Sequence, residues 1–122
     1  MKVLLTGSHG YIGRVLIGEL INEGYSVVGL DNVYYQPLRP AQVDHTSSLD
    51  SFIHSDIRNI KTLDLSSIDA VVHLAGLSND PLGQLNPDLT ESINYHSTIE
   101  LAHKAKTAGV KRFIYASSQS MY

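Results

Sequence analysis

Cysteine is absent from the sequence, which excludes disulfides and thiolate sites and fits a reducing compartment. Basic charge is scarce as well: nine Lys and Arg stand scattered against twelve Asp and Glu, for a net charge of -3. The basic stripe that a nucleic-acid binder needs is therefore missing. No long apolar run occurs either. The first apolar run, at 2 to 6, is too short for a signal peptide and far short of a membrane span. Internal repeats, low-complexity tracts and domain linkers are lacking too. What remains is 122 residues with 43% hydrophobic content, enough to bury roughly two-thirds of the unfolded surface around one core. The expectation is a single soluble, cytoplasmic domain spanning 1 to 122.

Short apolar runs are plentiful. "KVLLT" (2 to 6), "YSVVGL" (25 to 30), "SFIHS" (51 to 55), "DAVVHLA" (69 to 75) and "KRFIYAS" (111 to 117) are continuous rather than alternating. Such runs predict parallel strands covered on both faces. Between the first two, Ile12, Val15, Leu16 and Leu20 recur at helical spacing, and Gly24 stands where a helix C-terminal cap belongs. A longer helix is predicted over 87 to 108: Asn86 suits its cap, Pro87 its first position, Asp88 and Glu91 its positive end, and Gly109 its stop. Residues 32 to 50 hold two prolines and no sustained period, which predicts a long loop. The order reads βαβ, loop, β, short helix, βαβ. That is an α/β fold around a doubly wound, Rossmann-type parallel sheet of about five strands.

"TGSHGYIG" (6 to 13) sits between the first strand and the first helix, with glycines at 7, 10 and 13. Taking glycine at about 7% of residues, that spacing arises by chance only a few times in a hundred in a chain of this length. Small residues here let the backbone turn, let it approach a pyrophosphate, and let the helix lie against the sheet, while N–H groups at the helix start face the anion. A tight turn without a ligand is the competing reading. Asp31 stands about 20 residues further on, at the end of the second strand, where a carboxylate accepts the adenosine ribose hydroxyls. It would repel a 2′-phosphate, so the pair points to NAD. Taken alone, Asp31 also reads as a polar residue ending a strand at a turn.

With these residues in place the chain resembles the extended short-chain dehydrogenases/reductases, which include NAD-dependent nucleotide-sugar epimerases and dehydratases. "TGSHGYIG" is similar to that family's Thr-Gly-x-x-Gly-x-x-Gly motif, "SDIR" (55 to 58) to the segment after the third strand, and "VVHLAG" (71 to 76) to the fourth-strand motif. "RFIYASSQSMY" (112 to 122) is similar to the fifth. The resemblance implies a cofactor cradle of Gly7, His9, Gly10, Tyr11, Ile12, Gly13, Asp31 and Asn32, with Asp56 and Ile57 flanking adenine. It also implies Leu74, Ala75 and Gly76 beside the cofactor, Asn94 on the long helix, and Ser118 as the catalytic Ser/Thr. Residue by residue, plainer readings stand beside these. His73 reads as a core histidine satisfied by backbone, Asp56 as a helix cap, Ser118 as a solvated hydroxyl, and Asn94 as a solvent-facing helix residue. His96 and His103 stand seven apart, a spacing that shares a helix face, and nothing else supplies metal-ligand spacing.

The family's proton-transferring pair, Tyr-x-x-x-Lys, occurs nowhere in these residues. The resemblance therefore implies the N-terminal cofactor-binding portion of an enzyme, inactive by itself, with the catalytic helix and the sugar-binding lobe beyond Tyr122. The family's strand order would leave the fifth strand at an open sheet edge, so self-association through that strand or through the long helix is expected. Two other functions stay open: a simple NAD(P)-dependent reductase of the same family, and a non-catalytic dinucleotide sensor.

Overall fold

The first strand, β1 (Lys2–Thr6), is the centre of the sheet because its side chains are apolar in both directions. In the computed structural model, which describes residues 1–31 (Tyr11 by its backbone alone), 48–55, 60, 62–74 and 95–115, Val3 and Leu5 face one side and Leu4 the other. Alternation along a strand sends successive side chains to opposite faces. A strand buried on both faces must then be apolar throughout. The same division holds for β2 (Ser26–Asp31) and β4 (Ala70–His73), whose Val27, Ala70 and Val72 join one core while Val28, Leu30 and Val71 join the other.

All four pairings are parallel and the order is β3-β2-β1-β4-β5, with β3 (Ser51–His54) and β5 (Arg112–Tyr115) at the two ends. The expected parallel α/β fold is met, and β5 lies at an end of the sheet as the family's strand order implied. β1, β2 and β3 stop within one residue of their expected ends, β4 stops two residues early at His73, and β5 is described as far as Tyr115 of the expected 117. The register brings Thr6, Asp31, His54, His73 and Tyr115 to one edge of the sheet. The chain leaves β1 toward β2 on one side and β4 lies on the other, so a crevice opens above β1, where this class of sheet holds its ligands.

Helix α1 (Tyr11–Asn22) covers one face through Ile17, with Leu16, Leu20 and Ile21 half-buried around it. Here the structure corrects the expected inward stripe: Ile12 and Val15 are exposed, and the buried line runs through Gly13, Ile17 and Leu20. The helix turns this way because Gly13, with no side chain, sits hard against the loop before it. Helix α2 (Ser97–Ala108) covers the other face through Leu101 and Ala105, together with Ile60, Leu65 and Ile68 from the stretch before β4. Each fully buried leucine or isoleucine contributes about 1.5 to 3 kcal/mol by leaving water.

Both helices end in one motif. In α1 the Tyr25 N–H donates to the Leu20 carbonyl and the Gly24 N–H to that of Ile21, and in α2 Val110 and Gly109 donate to Ala105 and Lys106 in the same way. The glycines named from sequence as helix stops thus fill the expected role. The expected start of α2, with Asn86, Pro87, Asp88 and Glu91, lies outside the described residues, as do most of the 32–50 loop and residues 56–59 of the expected short helix. The described part of that stretch makes turns, with Leu63 donating to Ile60 and Ile68 to Leu65. Among the described residues no helix is long and apolar enough to cross a membrane.

Candidate functional site

At the end of β1 the chain reverses on Gly7, whose φ of +76° lies in the left-handed region. Its N–H donates to the Leu30 carbonyl at 2.8 Å, which fastens the start of the loop to β2. Gly10 then donates to the Gly7 carbonyl at 3.0 Å and precedes α1 with extended dihedrals and no capping side chain. The first bond into the helix runs from the Arg14 N–H to the Gly10 carbonyl, 3.0 Å. The N–H groups of Tyr11, Ile12 and Gly13 come before it, and the first turn holds no acid. A helix start of this kind favours an anion.

The third glycine is required by packing. A Cβ on Gly13 would stand 2.9 Å from the Ser8 Cα and closer still to the Gly7 carbonyl oxygen, and neither backbone atom can swing aside. A Cβ on Gly10 would sit 3.3 Å from the same oxygen, tight but less so. The loop and the first turn therefore form a cradle whose floor exists only while these side chains are missing.

Asp31 closes the cradle on the β2 side. Its Oδ2 accepts the His9 N–H at 2.9 Å, so the acid and the glycine loop are joined directly. Three further groups, which the sequence reading did not name, hold the loop there. Ser8 is fully buried and rests on Gly29 of β2, where a Cβ would come within 2.7 Å of the Ser8 Oγ. Arg14 reaches back one turn and donates its Nε to the His9 carbonyl at 2.8 Å. Phe52 of β3 meets the His9 ring with centroids 4.4 Å apart. Only Gly29 carried a signal, as a lone glycine inside a strand, which marks close approach by another part of the chain.

On the opposite face of the sheet lies His73, fully buried. Its Nδ1 pairs with the Thr6 hydroxyl at 2.6 Å and its Nε2 with the Thr98 hydroxyl at 2.9 Å. The expected satisfaction by backbone is thus corrected: two threonine hydroxyls do it, one from β1 and one from α2. The Thr6 Oγ also accepts the Leu74 N–H at 3.1 Å. A neutral imidazole offers one donor and one acceptor, which matches these two partners. Burial disfavours the charged ring and lowers its pKa from 6.5 to about 4. His73 therefore joins sheet to helix and stays neutral at physiological pH.

Of the residues named from sequence, the structure brings Gly7, His9, Gly10, Ile12 and Gly13 together in the loop and first turn. Asp31 is bonded to them, and the Tyr11 backbone lies in the same turn. Leu74 stands just past β4, its N–H also 3.1 Å from the Thr6 carbonyl. Asn32, Asp56, Ile57, Ala75, Gly76, Asn94 and Ser118 lie outside the described residues.

A cradle of this shape can be compared with known proteins. The family model described as "NAD dependent epimerase/dehydratase family" matches residues 3–122. The chain belongs to that family. It is 36% identical over 128 residues to a UDP-glucose 4-epimerase of Klebsiella pneumoniae, covering 100% of this chain and 92% of that one. It is 30% identical to the UDP-glucose 4-epimerase of Bacillus subtilis, covering 100% of this chain and 38% of that protein. Among solved structures, the UDP-glucose 4-epimerase of Thermotoga maritima with UDP-glucose superposes with a TM-score of 0.80 at 26% identity, over 96% of this chain and 38% of that one. MoeE5 in complex with UDP-glucose and NAD gives 0.80 at 31% identity, over 100% and 38%. The chain thus spans under two-fifths of the length of the Bacillus relative and of both structures. It matches nearly all of the Klebsiella one.

Proposed function

We propose that this chain is the NAD-binding portion of a nucleotide-sugar epimerase or dehydratase, and that NAD lies across the glycine loop with its adenosine ribose on Asp31. The observation that carries this reading is the Asp31 carboxylate bonded to the amide of His9 in a loop where a Cβ on Gly13 cannot fit. The cradle accepts backbone approach by a pyrophosphate, and its positive helix start has no acid of its own to compete. When bound, NAD supplies a hydride acceptor that returns the hydride to the sugar carbon within one cycle. In this reading the first-turn N–H groups hold the pyrophosphate, and Gly7, His9, Gly10, Tyr11, Ile12 and Gly13 line it. Asp31 and Asn32 take the ribose, Asp56 and Ile57 flank adenine, and Leu74, Ala75 and Gly76 pass beside the dinucleotide. Asn94 belongs with the cofactor-binding residues, and Ser118 is the catalytic Ser/Thr. The substrate class is a nucleoside diphosphate sugar, supported by the epimerase relatives. No Tyr-x-x-x-Lys occurs in the 122 residues, so turnover is not expected from them by themselves. A cytoplasmic setting is supported by the lack of cysteine.

Calorimetric titration tests the cofactor assignment. NAD is expected to bind, NADP more weakly because Asp31 repels its 2′-phosphate, and Asp31→Ala to weaken NAD roughly 10- to 100-fold, the worth of hydrogen bonds to a charged group. A chain that is folded by circular dichroism and shows no NAD binding would refute the assignment.

Self-association belongs to the same proposal. Ile114 and Tyr115 of β5 are 55% and 46% exposed, and Ile99 of α2 is 44% exposed. Light scattering behind size exclusion is expected to show mass rising with concentration, and Ile114→Lys or Ile99→Lys to lower it. A constant monomer mass contradicts self-association.

A further inference from the structure

Phe52 is a large aromatic residue on an end strand of the sheet, 39% exposed and in neither hydrophobic core. Its covered surface lies against other residues than the cores, so its surroundings are informative. Across the β2–β3 register it pairs with Gly29, and His54 pairs with Asp31. These four residues share a face, the one on which the glycine loop lies. Gly29 leaves room there for Ser8, and the next residue, His9, carries its ring onto Phe52. The two centroids are 4.4 Å apart at 45°, and His54 stacks on Phe52 at 6.1 Å and 20°. Ring pairs at such separations attract beyond simple burial.

The consequence lies in the backbone of His9. Its N–H is the donor to Asp31 Oδ2 and its carbonyl accepts from Arg14 Nε, so one residue links the acid of β2 to the first turn of α1. Its ring is held at the Ser8 Oγ, 3.1 Å, and against Phe52. The ring and the amide share one Cα, so a ring fixed at Ser8 and Phe52 narrows the backbone positions open to His9 to those that keep its amide on the carboxylate. A ribose diol is recognised by a carboxylate held in one orientation, because both hydroxyls must meet oxygens at once; a carboxylate that rotates loses that match.

We infer that Phe52 is a positioning residue for the adenosine ribose: by stacking on His9 it keeps the His9 amide on Asp31 and so holds the carboxylate in its binding orientation. This rests on the NAD reading above and adds a residue that acts through His9 and Asp31. The sequence offers no local sign of it, since Phe52 lies far from the glycine loop along the chain and is placed there by the parallel register alone.

The experiment is NAD titration of five proteins: the natural chain, Phe52→Ala, Phe52→Tyr, Phe52→Ala/Asp31→Ala, and Asp31→Ala as the reference for the double variant. Hydrogen exchange at the His9 amide is followed without cofactor. Phe52→Ala is expected to weaken NAD about 2- to 10-fold, the value of a ring pair expressed as affinity. Phe52→Tyr, which keeps the ring, restores binding. In the Asp31→Ala background the Phe52 effect disappears, because the group it acts through is gone. The His9 amide exchanges faster in Phe52→Ala while the amides of β1 keep their protection. Unchanged NAD affinity in Phe52→Ala, an equal loss in the Asp31→Ala background, or unchanged exchange at His9 would each overturn the inference and leave the NAD reading standing. A folded natural chain that fails to bind NAD would remove both, and is distinguished by that protein alone.

Discussion

Gly13→Ala, the addition of one methyl group, is expected to lower the unfolding free energy by about 2 to 3 kcal/mol and to reduce NAD binding at least about tenfold. In an open helix the same change stabilises by roughly 0.5 to 1 kcal/mol, because alanine loses less backbone freedom on folding. The sign reverses at this position for a geometric reason. The new Cβ meets the Gly7 carbonyl and the Ser8 Cα and carbonyl, all backbone atoms, with the last two at 2.9 Å. Backbone cannot change rotamer, so either α1 lifts from the loop or the loop lifts from the sheet. Lifting the helix draws Ile17 and Leu20 from the core they share with Val3 and Leu5. Lifting the loop frees Ser8 from Gly29 and moves the His9 amide off Asp31. Both routes damage the cradle, which is why affinity falls with stability. Urea unfolding and NAD titration of the two proteins check it. A variant with the natural urea midpoint and natural affinity would show that the helix start and the loop are not in contact as described.

The second large effect is a loss of stability on acidification, centred on His73. The folded ring titrates at about 4 and the unfolded one at 6.5, the difference caused by burial. Between those values the unfolded chain binds more protons than the folded one, so unfolding free energy increases with pH across that window. The contribution is fully present above about pH 6.5 and is lost as pH falls toward 4. The gap corresponds to about 3 kcal/mol, and no discount for solvent applies because His73 is fully buried. Asp64 works in a lower window. Its pKa is lowered from 3.8, first by the Ser66 N–H and then by the Ser66 hydroxyl, so its contribution declines only below that value. Urea unfolding from pH 7 to 4.5 is expected to show the loss in the natural chain and a flatter profile in His73→Gln. That variant keeps a donor and an acceptor for Thr6 and Thr98 but does not titrate. Parallel profiles for the two proteins would remove His73 as the origin.

Most of the sheet and the core of the site were legible in the sequence, and particular residues show why. Continuous apolar runs such as "KVLLT" and "AVVH" are informative because a strand buried on both faces is apolar along most of its length, with Thr6 and His73 buried at its end as a hydrogen-bonded pair. The triplet of glycines is informative because glycine is suited to tight turns and close approach, and the structure finds Gly7 in a left-handed turn and Gly13 in close contact. The inward face of α1 was less legible. Ile12 and Val15 fit a helical stripe as well as Ile17 does, and only the contact of Gly13 with the loop selects which stripe turns inward. His73 was readable as a buried histidine, but its partners were not, since Thr98 belongs to an element far along the chain.

By itself the sequence determined the α/β class, the succession of strands along the chain, the two helix stops, and the pairing of a glycine loop with an acid at the end of the next strand. These are local or nearly so, encoded in apolar runs, in turn residues and in one spacing. Tertiary structure alone decided what holds the loop in place. Ser8 on Gly29, His9 on Phe52 and Asp31, and His73 between Thr6 and Thr98 are contacts between segments brought side by side by parallel strand register. Parallel strands are joined through crossovers of a dozen residues or more. Neighbours in the site are therefore strangers in the chain, and no short pattern of residues records them.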